Sequence, residues 1–234
     1  MSLSQIGAKG WHEGLHRKGR GPKRMREAVF AVIHRVPERV TPGMLRVAGR
    51  PVIEWQIEWL LGMGVDGVIV EVGDDAASVE VAEWVGTHYG DGTDVIVVGG
   101  EDAARLGARE ASCRAGIGAL RPILAIPADM IGSGDLTYMV PVPNPFGVVA
   151  FFDVPPALVR KVGGGTVRLM RAPLGVARTP SRKRGQPTPV HGPGWAVRVK
   201  SAADAVAVTI AARRGELPGI EVDAIPREAP KRVA

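Results

Sequence analysis

Apolar residues fall along this chain in two alternating textures. Short aliphatic runs, Ala28–Ile33 (AVFAVI), Val68–Val72 (VIVEV), Asp94–Val98 (DVIVV) and Ile123–Ile126 (ILAI), have the composition of strands buried on both faces. Between them the spacing turns helical. After Pro51, residues Val52, Ile53, Ile57, Leu60 and Leu61 lay one stripe along a helix, with proline suited to its first turn and Gly62 and Gly64 ending it. Further helices are expected over Ala76–Tyr89 and Ala103–Ala115. Strand and helix in alternation predict an α/β domain with a mixed, mainly parallel sheet flanked by helices.

Beyond Asp129 the pattern loosens. Pro141, Pro143 and Pro145 disfavour a regular helix or a central strand. Gly147–Phe152 predicts a strand, Gly163–Gly165 a turn, and Arg178–Gly194 a long surface loop. Strand character resumes at Trp195–Val199. Ser201 caps a last helix reaching Arg214, and Ile220–Val222 reads as an edge strand in a proline-punctuated tail. The organisation expected is a basic, disordered arm (residues 1–26), one α/β domain (27–216) and a tail (217–234).

Composition narrows the class. The chain has 234 residues, 45% of them hydrophobic, with no run long enough to span a bilayer and no apolar segment of a secretory signal near its start. No membrane association is expected, and the cytoplasm is the expected compartment. Cys113 is the only cysteine, which excludes an internal disulfide and a multi-cysteine metal site. The net charge of +6 is concentrated in Met1–Glu27, where seven basic residues face two acidic ones. This arm has little to bury and can contact polyanions through charge alone; Met25 is an alternative start. His12, His16, His34, His88 and His191 show no metal-ligand spacing. Trp55, Trp59 and Trp84 read as core or interface bulk.

The stretch from Thr41 to Leu60 (TPGMLRVAGRPVIEWQIEWL), followed by Gly64-Val65, the strand Val68–Val72 and Gly73, resembles the opening of the sugar-phosphate nucleotidyltransferases, or nucleotide-sugar pyrophosphorylases. Leu106-Gly107-Ala108-Arg109, Ile123–Asp129 (ILAIPAD) and Trp195–Asp204 (WAVRVKSAAD) resemble later motifs of that family in the same order. The resemblance covers residues 28 to 214. It implies a single Rossmann-like, GT-A-like nucleotidyltransferase domain. It also implies nucleotide contacts at His34, Arg35, Gly107 and Ala108, and a Mg²⁺ held by Asp129.

That chemistry joins a nucleoside triphosphate to a sugar phosphate, and it is expected to need three devices. A glycine-rich loop presents amides to phosphate, a lysine offsets charge, and two carboxylates hold Mg²⁺. Where the family has G-x-G-T-R, this chain reads His34-Arg35-Val36-Pro37-Glu38-Arg39-Val40, without glycine and with a proline that lacks an N–H. The Pro-Lys position is Pro42-Gly43, leaving Arg39 and Arg46 as substitute phosphate contacts. Asp129 matches the first metal carboxylate, whereas the second aligns with Arg198; Asp204 is an outside candidate for it.

Three functions stay open at this point. One is a catalytically impaired homologue, a regulatory or scaffold subunit that binds a nucleotide or sugar phosphate. Another is an active, divergent Mg²⁺-dependent transferase. The third is a nucleic-acid binder using the arm and Arg182-Lys183-Arg184. A homo- or hetero-oligomer is compatible with each.

Overall fold

In the computed structural model, which describes residues 30–34, 42–90, 94–99, 122–134, 148–162, 167–173, 188–220 and 222, the aliphatic runs become strands. They are β1 (Phe30–His34), β4 (Gly67–Val72), β5 (Val95–Gly99), β6 (Pro122–Pro127) and β8 (Val148–Asp153). Between β1 and β4 come a short hairpin, β2 (Arg46–Val47) and β3 (Arg50–Pro51), and helix α1 (Val52–Gly62). The remaining elements are α2 (Ala76–His88), β7 (Met130–Ser133), α3 (Pro156–Val159), β9 (Val167–Pro173), β10 (Thr188–Arg198) and α4 (Ala202–Arg213).

Among the described residues eight strands form one sheet, in the order β5–β4–β1–β6–β9–β8–β10–β7. The first four are mutually parallel, and β9 and β7 run antiparallel to their neighbours. The chain therefore leaves β1 through α1 to β4 on one side and later returns to β6 on the other. Such a reversal is a topological switch point, and open α/β sheets place their ligands in the crevice beyond the carboxyl ends of the strands there, here β1 and β6.

Two apolar clusters flank the far part of the sheet. Alternate residues of one strand serve both, because successive side chains point to opposite faces. On β10, Ala196 joins the cluster under α1 and α2, while Trp195 and Val197 join the cluster under α4. Met130 and Ile131 divide β7 in the same way. Leu217 and Ile220 complete the second cluster. No helix among the described residues is long and apolar enough to cross a membrane.

Local chemistry explains the element ends. Asp75 caps α2 by accepting from Ser78 N at 3.0 Å, and Ser201 caps α4 as expected, accepting from Asp204 N at 3.2 Å. The β2–β3 turn puts both Ala48 (φ 51°) and Gly49 (φ 88°) at positive φ, the requirement of a two-residue hairpin loop of type I′.

Three expectations need correction. Residues 188–194, read as the end of a surface loop, form the first half of β10 and pair in parallel with β8. Pro189 and Pro193 hid this strand, yet β7 pairs only with Trp195–Arg198. Among the described residues, the first half therefore has one unpaired side, which tolerates a missing N–H. Pro51 ends β3 in extended geometry (ψ 147°) and precedes α1 instead of forming its first turn. Ile220 and Val222 belong to no strand: Ile220 N closes a turn onto Leu217 O, and its side chain packs in the second core. The helix expected over Ala103–Ala115 lies outside the described residues.

Candidate functional site

The carboxyl ends of β1 and β6 lie side by side, with His34 opposite Pro127 in the parallel register. Immediately after β6 the chain turns through Ala128 and Asp129 into β7. Four hydrogen bonds fix that turn. Ala128 N donates to His34 O at 2.9 Å, and Val199 N donates to Asp129 O at 2.6 Å. The Nε2 of Gln56, reaching over from α1, donates to Pro127 O at 3.0 Å and to Met130 O at 2.8 Å. Gln56 is wholly buried, so these bonds form away from competing water.

Asp129 is 1% exposed, and the group facing it is Arg198, at the end of β10 and in register with Met130. Arg198 Nη2 donates to Asp129 Oδ2 at 2.6 Å, and Nε lies against Oδ1 as a direct charge contact. Both carboxylate oxygens thus meet one guanidinium, which the planar fork of arginine favours and the point charge of lysine does not. The Arg198 side chain remains 30% exposed. It has no other partner among the described residues.

A divalent cation does not suit this donor set. It would have to displace a guanidinium from a buried carboxylate, and the second carboxylate that oxygen-seeking ions favour is replaced by that same cation. Among the described residues, no group of three or more His, Cys, Asp or Glu side chains could hold a metal. Asp204 has a different task. Its Oδ2 accepts from Lys200 N and from Ser201 Oγ, both at 2.9 Å, locking the first turn of α4.

Gly43, at the position where the resemblance expects lysine, is buried beneath α2. A Cβ there would stand 2.6 Å from Val81 Cγ2, so this packing leaves no room for a side chain. Arg46 serves its own hairpin, donating from Nη1 to Gly49 O at 2.8 Å. Arg50 is spoken for as well. It contacts Glu58 and Glu54, with Nε to Glu54 Oε1 at 2.7 Å, and its guanidinium lies 4.4 Å from the centre of the Trp55 ring. Burial opposes its charge, but the bonds to Glu58 and Glu54 outweigh that and raise its pKa.

The structure thus brings His34 and Asp129 together at one crevice. Arg35, Arg39, Gly107 and Ala108 lie outside the described residues. Two of the tryptophans serve as braces: Trp55 Nε1 donates to Val47 O at 2.9 Å and Trp59 Nε1 to Gly134 O at 3.1 Å. Trp84 stacks on His88 with ring centres 4.1 Å apart. Gln56 escaped sequence reasoning. Its signal was a polar residue four positions after Val52 and three after Ile53, on the buried stripe of α1.

No family model matches the chain, and no curated protein matches it in sequence. Solved structures do match. HddC from Yersinia pseudotuberculosis superposes with a TM-score of 0.55 at 11% identity, over 79% of this chain and 99% of that chain. The same protein complexed with GMP-PN gives 0.52 at 12% identity, with the same coverage. The 4-diphosphocytidyl-2C-methyl-D-erythritol synthase from Anaerococcus prevotii DSM 20548 gives 0.50 at 13% identity, over 80% of this chain and 97% of that one. Identities this low speak for the fold alone. The fold, a mixed α/β sheet whose first four strands are parallel, resembles that of these two proteins.

Proposed function

We propose that this chain is a nucleotidyltransferase-like protein that binds a nucleotide or sugar phosphate in the β1/β6 crevice without ordinary nucleotidyl transfer, and works as a regulatory or scaffold subunit. The observation that carries this reading is the Asp129–Arg198 pair: the carboxylate best placed to hold a metal already holds a guanidinium. Gly43 under Val81 supports it, since that position offers no side chain to a phosphate and a Cβ there would crowd Val81 Cγ2. The fold likeness to HddC complexed with GMP-PN supports a nucleotide as the ligand class. In this reading Mg²⁺ has no role at Asp129.

Positioning remains possible where turnover is not. A crevice with fixed backbone can orient a phosphate-bearing ligand, but transfer also needs charge stabilisation that grows in the transition state. A thermal-shift screen of nucleoside triphosphates and nucleotide sugars tests binding, because a ligand selective for the native state raises the melting point by mass action. Pyrophosphate release, measured with the same triphosphates, sugar 1-phosphates and Mg²⁺, tests turnover. The expected result is a raised melting point with at least one ligand and no release. Mg²⁺-dependent release would overturn the reading, and its loss in Asp129→Asn would assign the metal to that carboxylate.

A further inference from the structure

We infer that Arg198 is the resident cation of this crevice, so that the site takes a polyphosphate in its metal-free form. The inference rests on the functional reading above and gives that site its ligand state. It starts from the mismatch between the residues present and a divalent ion. A Mg²⁺ site works by setting positive charge between protein carboxylates and ligand phosphates. Here a positive group is already bound to the carboxylate, through Nη2 to Oδ2 and through Nε against Oδ1.

Guanidinium has five N–H donors. Asp129 engages one edge of the fork, through Nε and Nη2, and no other described residue engages Arg198. The donors on Nη1 are therefore unclaimed by the described residues, on a side chain that is 30% exposed beside a carboxylate that is 1% exposed. The pair is anchored from behind by backbone: Val199 N holds Asp129 O, and Gln56 holds both sides of the turn. Asp129 thus acts on the ligand through Arg198, as a positioning residue that fixes the guanidinium in one orientation. The guanidinium is part of the chain, so this cation cannot be chelated away.

The sign of the metal effect follows. A metal-using site binds the Mg²⁺ complex of a triphosphate more tightly than the free anion. A guanidinium binds the free anion more tightly, because Mg²⁺ in solution removes negative charge from the ligand and occupies its oxygens.

The test is isothermal titration of the full chain with inorganic tripolyphosphate and with each ribonucleoside triphosphate, in EDTA and in excess Mg²⁺. The basic arm also attracts anions, so the reference protein is Asp129→Asn/Arg198→Gln, which retains the arm and removes both charges of the pair. The expected result is binding in EDTA that Mg²⁺ does not strengthen and that the double variant weakens by about tenfold or more. Arg198→Lys, which keeps the charge without the fork, is expected to bind more weakly and still independently of Mg²⁺; it serves alone if the double variant does not fold. Tightening of about tenfold in Mg²⁺ overturns the inference and leaves the binding role standing. Equal EDTA affinity in the double variant also overturns it, by placing the anion elsewhere. No binding by any ligand in either buffer removes the binding role itself.

Discussion

Truncating Arg198 should expose how much this pair matters to the fold. Asp129 is 1% exposed, and its two oxygens face a guanidinium that is 30% exposed. Removing one partner of a buried ion pair leaves an uncompensated charge and typically costs about 3–5 kcal/mol. Partial exposure of Arg198 lets water reach the vacated place, so Arg198→Ala is expected at the lower end, about 3 kcal/mol. Asp129→Asn keeps the shape and one acceptor and frees a guanidinium that can turn to solvent, costing about 1–2 kcal/mol. Asp129→Asn/Arg198→Ala removes both charges of the pair and should also cost only about 1–2 kcal/mol. The cycle therefore predicts a coupling of about 3 kcal/mol between the two residues. Urea unfolding measures each variant. With a slope of about 2 kcal/mol per molar, Arg198→Ala moves the midpoint down by about 1.5 M. An Arg198→Ala protein within about 0.5 kcal/mol of wild type, or single effects that simply add, would refute the reasoning.

Three more predictions follow from the surrounding packing. Gly43→Lys is expected to lower the melting temperature through a clash costing about 1–3 kcal/mol, and Val81→Ala in the same chain should recover part of that loss. Gln56→Leu strands the carbonyls of Pro127 and Met130 and also removes a buried Oε1 that lacks a hydrogen-bond partner, for a net loss of about 2 kcal/mol. Hydrogen exchange should then quicken at Ala128 and Val199, whose amides hold the same turn. Burial, then the charges of Glu58 and Glu54, push the Tyr89 phenol up to about 12. The native state thus keeps a proton that the unfolded chain, with an ordinary tyrosine value of about 10, gives up. Stability from this group is complete below about pH 10 and is lost as pH rises towards about 12. Ultraviolet titration of phenolate formation should show a late phase that Tyr89→Phe removes.

The parallel half of the sheet was legible because its signals are strong and local. Four aliphatic runs and the stripe Val52–Leu60 mark β1, β4, β5, β6 and α1, and Ser201 announces its own cap. The other half was written in residues that usually interrupt structure. β7 is followed by Gly134 and contains Gly132, where a Cβ would stand 2.6 Å from Trp195 O, so a glycine that looks like a break is in fact what lets two strands approach. In β10 the prolines occupy a stretch with one side unpaired among the described residues, which no local rule reveals. β9 lay behind the Gly163–Gly165 run, and Arg168 and Arg171 dilute its apolar content.

The site was legible in its parts and not in their assembly. Family resemblance put an aspartate at 129 and an arginine at 198, but only the fold brings residues 69 positions apart into one ion pair. The missing lysine at Gly43 could be read directly, whereas Val81 filling its place is a matter of helix packing. Asp204 looked like a spare carboxylate until Ser201 and Lys200 claimed it.

Titration with Mn²⁺, followed by the electron paramagnetic resonance signal of the free ion, puts the question to Asp129 most directly. If Arg198 holds that carboxylate, wild type and Asp129→Asn bind the ion alike, whatever weak surface binding both show, whereas a site present in wild type and lost in Asp129→Asn would contradict the account.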